Sequence, residues 1–149
     1  MSLEQQLTSE LKAAMRAKDS LRLEALRAIK SAILLAKTSG GASDGLDEAQ
    51  EIQILQKLVK QRRDSASIFK EQNRADLAEP EEAQAEVIAA FLPKQLTPEE
   101  VEAIVENIIA ETGASSMKDM GRVMGMANQK MAGQADGKTI STVVKSKLS

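Results

Sequence analysis

Apolar residues recur every three or four positions along almost the whole chain, which is the spacing of residues on one face of an α-helix. The pattern predicts amphipathic helices over residues 3–17, 20–38 and 47–73. No segment shows the alternation of apolar and polar residues, rich in β-branched types, that is typical of half-buried strands. The predicted fold class is therefore all-α.

The second predicted helix carries more apolar residues than one face requires. Leu21, Leu34 and Leu35 extend beyond its main stripe, and they predict burial on more than one side. After this helix, the glycine- and serine-rich stretch Ser39–Gly45 breaks the pattern and predicts a flexible loop.

Proline and acidic residues give two start signals for helices further along the chain. Pro80, followed by Glu81 and Glu82, predicts a helix that begins at the proline and runs to about Phe91, because proline lacks only an N–H that would be unpaired there. The segment Thr97–Glu100 is a stronger signal, since a threonine and a glutamate three residues later form a capping box.

The last third of the chain predicts three short helices. The first follows the capping box at Thr97, and the second opens in the same way at Ser116, with Asp119 three residues later. The third begins near Asp136. Pro93 and its neighbours separate them from the four preceding helices. The predicted organisation is a bundle-like N-terminal helical domain over residues 1–92 and a small three-helix domain over residues 97–149.

The sixth predicted helix combines a stripe of methionines with two glycines. Apolar residues spaced three and four apart predict its core-facing side: Met117, Met120, Met124, Ala127 and Met131. Gly121 and Gly125 each cost a helix about 1 kcal/mol relative to alanine, so we expect a neighbouring backbone to pack against them. Close approach of a ligand or a nucleic-acid backbone is the alternative. Gly133 is expected to end the helix in a left-handed conformation.

Charge is distributed unevenly, although the formal net charge is only -2. Residues 76–113 hold ten acids and one lysine, whereas residues 114–149 hold six basic residues and two acids. Such an asymmetry is typical of proteins with an anionic partner, and two solvated helix faces of opposite sign are the alternative. Phe69 and Phe91 are the only aromatic residues, so RNA recognition would rely on shape and backbone contacts rather than base stacking.

Most enzyme chemistry is excluded because the chain has no His and no Cys. These absences remove the usual general base, the thiolate nucleophile and the usual zinc ligands. Gly40–Ser43 lacks the lysine of a phosphate-binding loop. Glu79, Glu81 and Glu82 suit the start of a helix better than a magnesium site. The sequence therefore predicts no catalytic residue, no cofactor and no metal.

Nothing in the sequence points to a membrane. Its apolar runs are far shorter than the roughly 18 residues of a membrane span. The first residues lack the basic and apolar regions of a secretory signal. We expect a cytoplasmic protein with no membrane partner.

Short motifs along the chain, taken in order, resemble the GatB/YqeY family. The C-terminal motifs are Phe91–Leu96, Met120–Gly125, Lys130, Gly133, Asp136–Lys138 and Val144–Lys145. The N-terminal motifs, similar to the stand-alone YqeY branch, are Leu26–Ala32, Lys60–Ser65 and Arg74–Ala78. Their joint order is specific and covers nearly the whole chain. Gln134 stands where many relatives have arginine, which weakens any phosphate contact at that position.

The resemblance implies a two-part helical protein similar to the tail of the B subunit of the tRNA-dependent amidotransferase. That enzyme converts misacylated Glu-tRNA(Gln) or Asp-tRNA(Asn) to the amide form, and its tail is associated with tRNA recognition while its active sites lie elsewhere. The implied function is a tRNA-associated accessory module without independent catalysis. Its implied partners are tRNA and components of an amidotransferase or an aminoacyl-tRNA synthetase.

Two alternatives to this function remain open at the level of the sequence. One is a component with carbon–nitrogen ligase activity that uses glutamine as the amide donor, as family membership alone suggests. The other is a protein-interaction module that docks through its methionine-lined or acidic surfaces. A pull-down with and without nuclease would separate the second alternative from RNA association.

Basic residues of the last three helices are the candidates for nucleic-acid binding, because Lys and Arg side chains contact phosphates. They are Arg122, Lys130, Lys138, Lys145 and Lys147, with Lys118 as a weaker candidate. The alternative interpretation of this set is a solvated face on small helices.

Overall fold

The computed structural model describes residues 2–39 and 45–149, and the described residues form seven α-helices, one short 3-10 helix and no strand. The α-helices are α1 (Leu3–Ala17), α2 (Ser20–Ser39), α3 (Glu48–Glu71), α4 (Ala75–Ala89), α5 (Pro98–Thr112), α6 (Met120–Lys130) and α7 (Gly137–Leu148). The 3-10 helix spans Met117–Asp119. The predicted all-α fold is confirmed, and the chain divides into two compact units, Met1–Leu92 and Pro93–Ser149.

In the N-terminal unit, α2 is the central element. It packs against α1 and also against α3 and α4, which in turn pack against each other. The core is aliphatic, and its largest fully buried side chains are Leu26, Ile29, Leu55 and Ile88. Two hydrogen bonds between side chains link α3, α4 and α2. Arg62 Nε donates to Gln84 Oε1 (3.1 Å), and Gln84 Nε2 donates to Glu24 Oε2 (2.9 Å).

In the C-terminal unit, α5, α6 and α7 pack pairwise around a second aliphatic core. The predicted capping box at the start of α5 is confirmed, since Glu100 N donates to Thr97 Oγ1 (3.2 Å) and Thr97 N donates to Glu100 Oε1 (3.3 Å). Gly113 ends α5 with a φ of 70°. Asp136 caps α7 by accepting a hydrogen bond from Thr139 N (2.6 Å).

The fourth helix begins at Ala75, so the predicted start at Pro80 is wrong. Asn73 adopts a left-handed conformation (φ 59°) immediately after α3, and the chain turns into α4 at once. Arg74 pairs with the carboxylate of Asp76 (3.0 Å) in the first turn. Pro80 therefore lies inside the helix, where its missing N–H removes one hydrogen bond of the helix. The turn at Asn73 starts the helix five residues before the proline, and the helix continues through it.

The exposed end of α2 also differs from the sequence-based expectation. Leu34 and Leu35 are 61% and 66% exposed, so the prediction of burial on more than one side is wrong at that end of the helix. Most of the loop predicted after α2 falls on residues 40–44, which lie outside the described residues.

Candidate nucleic-acid interface

The start of α6 differs from its prediction by one turn. Ser116 opens the 3-10 helix rather than α6, and its hydroxyl accepts a hydrogen bond from Lys118 N (3.4 Å). The carboxylate of Asp119 accepts from Ser115 N (3.1 Å) instead of completing a capping box with Ser116. The first residue of α6 is therefore Met120.

The methionine stripe is only partly a core surface. Ala127 and Met131 are buried, and Met120 and Met124 are half-buried against the same core, as predicted. Met117 is 45% exposed, so the prediction is wrong at this position. Because it belongs to the 3-10 helix, its direction does not follow the period of α6.

The two glycines of α6 face open space. Gly121 and Gly125 are exposed, and among the described residues a Cβ added to either would have no heavy atom within 4 Å outside its own helix. The expectation that a neighbouring backbone packs against them is therefore wrong. Gly133 has the expected positive φ (77°) in the turn after α6.

The outer face of α7 brings two of the predicted basic residues together. Lys138 and Lys145 are seven residues apart, which places them about 20° apart around the helix axis and about 10 Å apart along it. Both are exposed. Across the described ranges, 2–39 and 45–149, neither ammonium group makes a hydrogen bond or an ion pair.

Lys147 points to another side of α7, about 200° around the axis from Lys145. Its Nζ lies 2.6 Å from Glu102 Oε1 and 2.7 Å from Glu106 Oε1, both on α5. The hydrogen bonds to Glu102 and then to Glu106 raise the pKa of Lys147 to about 12. This lysine therefore links α7 to α5, and the structure does not bring it together with Lys138 and Lys145.

The two predicted basic residues of α6 also contact α5. Arg122 Nη2 donates to the carbonyl of Thr112 (3.2 Å), one of the carbonyls left unpaired at the end of α5, and it lies 3.5 Å from Asp119 Oδ1. Lys130 Nζ lies 3.5 Å from Glu111 Oε2. Both side chains remain about half exposed.

The acids of α5 that pair with Lys147 were not identified from the sequence. Glu102 and Glu106 are one helical turn apart, and each pairs with Lys147. The sequence contains the elements of these ion pairs, namely two acids four residues apart in one helix and a lysine in the last turn of another. It was not decisive, because the sequence does not indicate which faces of two helices meet.

The C-terminal unit has exposed cations but no aromatic side chain. Both aromatic side chains, Phe69 and Phe91, are half-buried in the N-terminal unit, and Phe91 packs against its core. The C-terminal unit therefore offers ammonium groups on α7 and an exposed backbone surface on α6, but no aromatic ring for stacking.

No helix among the described residues is long and apolar enough to cross a membrane.

Comparison with known proteins gives a family match over residues 4–148, to the family described as Yqey-like protein. Altered inheritance of mitochondria protein 41, mitochondrial, of Lachancea thermotolerans is 36% identical over 112 residues, which are 74% of this chain and 59% of that protein. The protein of the same name from Clavispora lusitaniae is 40% identical over 86 residues, which are 58% of this chain and 49% of the relative. The chain thus spans less than two thirds of either relative.

A further relative belongs to a tRNA-dependent amidotransferase. This glutamyl-tRNA(Gln) amidotransferase subunit, from Thermococcus gammatolerans, is 37% identical over 73 residues, which are 46% of this chain and 12% of the relative. The expected relation to amidotransferase subunits is therefore present, and it covers less than half of the chain.

Proposed function

The chain belongs to the family of Yqey-like proteins, and from this premise we propose that it is a tRNA-associated helical accessory module without catalysis of its own. The observation that carries the proposal is the outer face of α7, where Lys138 and Lys145 project to the same side without a partner among the described residues. The relation to an amidotransferase subunit named for Glu-tRNA(Gln) supports tRNA as the anion. The lack of His and Cys supports the absence of an independent active site.

The arrangement on α7 suits a polyanion. Two ammonium groups about 10 Å apart along one helix face can contact different phosphates of the same nucleic acid. Each contact releases condensed counterions, so binding gains free energy that depends on salt concentration. Because Lys138 and Lys145 make no internal ion pair among the described residues, phosphate binding does not require them to give up an existing contact.

The glycine face of α6 is a second contact surface in the proposal. Gly121 and Gly125 leave the helix backbone uncovered, and no part of the C-terminal unit fills the space. A ribose–phosphate backbone can approach such a surface more closely than one covered by side chains. Arg122 borders the face and its side chain is 55% exposed, so its guanidinium can contact a phosphate while it still caps α5.

The remaining basic residues have secondary roles in this proposal. Lys130 and Lys147 already pair with glutamates of α5, and a phosphate would have to displace those carboxylates. We therefore expect Lys138 and Lys145 to dominate affinity, Arg122 and Lys130 to add to it, and Lys147 to contribute mainly to the fold.

Filter binding to tRNA at low salt tests the proposal. The double variant K138E/K145E should bind about tenfold more weakly or worse, while its unfolding free energy stays within about 0.5 kcal/mol of the wild type. The matched control is K12E/R16E, which makes the same charge change at exposed positions of α1. Equal losses in both variants, or no tRNA binding by the wild type, would refute a site on α7.

A second candidate function is a component of amide transfer, with carbon–nitrogen ligase activity that uses glutamine. The match to the amidotransferase subunit favours it. Purified chain, glutamine, ATP and misacylated tRNA should give no amidated tRNA in the accessory proposal. Amidated product from the purified chain alone would replace that proposal with this one.

The proposal includes a cytoplasmic location, close to the translation machinery. The names of the yeast relatives describe those proteins as mitochondrial. Fluorescence microscopy of the tagged full chain in its own cells, with organelle markers, decides the compartment of this protein. A signal confined to an organelle would exclude the cytoplasmic location.

A further inference from the structure

The end of α2 carries an apolar surface that none of the described residues covers. Leu35 and Leu34 are the most exposed large apolar side chains in the part of the chain that the structure describes, at 66% and 61%. As neighbours on a helix, they point about 100° apart and lie on either side of a ridge formed by Ser31 and Thr38. These two adjacent leucines form a small apolar patch rather than isolated apolar side chains.

A cleft adjoins this surface on the side of Leu34. It lies between α1 and α2 and has a volume of about 160 Å³. Leu7 and Ile33, which belong to the core, form its apolar lining together with Leu34, and Thr8 adds a hydroxyl. The volume is comparable to the cavity of about 150 Å³ that accommodates a benzene ring, so it is large enough for one aliphatic side chain.

Two cations on the cleft side of α2 have no partner among the described residues. Arg27 and Lys30 lie seven and four residues before Leu34 and therefore on its side of α2, and both are exposed. Neither makes a hydrogen bond or an ion pair within residues 2–39 and 45–149. The carboxylate that lines the cleft is already engaged, since Glu4 pairs with Lys37. Burial and then the neighbouring Glu4 raise the pKa of Glu51 on α3, so a further acid lies beside that pair, at the opposite end of the cleft from Arg27 in the sequence of α2.

We propose that Leu34, Leu35 and this cleft form a docking surface for an amphipathic helix of a partner protein that carries acidic residues beside its apolar ones. One apolar side chain of the partner fills the cleft, and others cover the two leucines, as in the recognition of a helix by a groove. The acidic residues pair with Arg27 and Lys30, because these two cations have no ion pair among the described residues. The surface lies wholly in the N-terminal unit and is independent of the proposed tRNA contact.

The test uses a phage-displayed library of helical peptides, selected on the full chain in the presence of excess soluble L34S/L35S protein. We expect enriched peptides with a leucine-type stripe and a net negative charge. Their affinity, measured by fluorescence polarisation, should fall at least about tenfold in L34S/L35S and in R27E/K30E. Replacing the peptide's glutamates by lysines should restore binding to R27E/K30E. If Arg27 and Lys30 had only a structural role, this exchange of charges would not restore binding.

The matched control is Met15→Ser, because Met15 is 59% exposed on α1 and lies outside the cleft lining. It should bind the selected peptides like the wild type. Enrichment of neutral or basic peptides, or no enrichment, would overturn the proposal. A concentration-dependent dimer in sedimentation velocity that L34S/L35S abolishes would also overturn it, since a second copy of the chain would then occupy the surface.

Discussion

Replacing both glycines of α6 by alanine should stabilise the C-terminal unit. Gly121 and Gly125 are exposed within the helix, and the added methyl groups would meet no atom of another described element within 4 Å. Alanine favours a helix over glycine by about 0.5–1 kcal/mol at each position, so G121A/G125A should gain about 1–2 kcal/mol of unfolding free energy. For a unit of this size the unfolding midpoint should rise on the order of 10 °C.

The assay is thermal and urea unfolding followed by circular dichroism, with Gly113→Ala as the control. Gly113 has equally open surroundings but a φ of 70°, so alanine there should destabilise by about 1–2 kcal/mol. A loss of stability in G121A/G125A would show that something packs against this face and would refute the open surface. In the proposed function the same variant binds tRNA more weakly although it is more stable, because the methyl groups keep the RNA backbone away from the helix.

Three further predictions concern the stability of the C-terminal unit. Thr97→Ala removes the acceptor at the start of α5 and should cost about 1 kcal/mol in urea titrations, whereas an unchanged midpoint would mean that other contacts hold this helix end. Met131→Ala opens a cavity at a fully buried position and should lower the unfolding free energy by about 2–5 kcal/mol. The affinity for tRNA should fall with it, and full stability of this variant would contradict the burial of the side chain. Hydrogen bonds to Glu102 and Glu106 raise the pKa of Lys147 from 10.5 to about 12, so its stabilising contribution is complete below about pH 10.5 and is lost as the pH rises through about 12. Across that pH range the unfolding free energy should fall more steeply in the wild type than in Lys147→Met. The same pH dependence in both proteins would argue against the ion pairs.

Much of the fold was predictable because helix ends carry local signals. The capping box at Thr97 and the cap at Asp136 depend on hydrogen bonds within four residues, and such contacts are readable from sequence. Pro80 misled the prediction because the start of α4 depends on the left-handed turn at Asn73, which asparagine permits but does not dictate. Leu34 misled it for a different reason, since periodicity identifies apolar positions but not whether an element of the same chain covers them.

The candidate site was predictable in composition but not in arrangement. The sequence identified the basic residues of the last helices, yet it could not separate Lys138 and Lys145, which face outward, from Lys147, which pairs with α5. That distinction depends on which faces of α5 and α7 meet, and this is a property of tertiary packing. The open surroundings of Gly121 likewise follow only from the packed structure, because sequence alone favoured an internal neighbour.

The salt dependence of tRNA binding tests the central claim most directly. If Lys138, Lys145 and Arg122 contact three phosphates, a plot of log affinity against log salt concentration for the wild type should have a slope of about -2 to -3. The slope for K138E/K145E should be shallower by about 1.5 or more, while the slope for K12E/R16E should match that of the wild type. An affinity that does not change with salt, or the same slope in all three proteins, would contradict a phosphate-binding surface on α7.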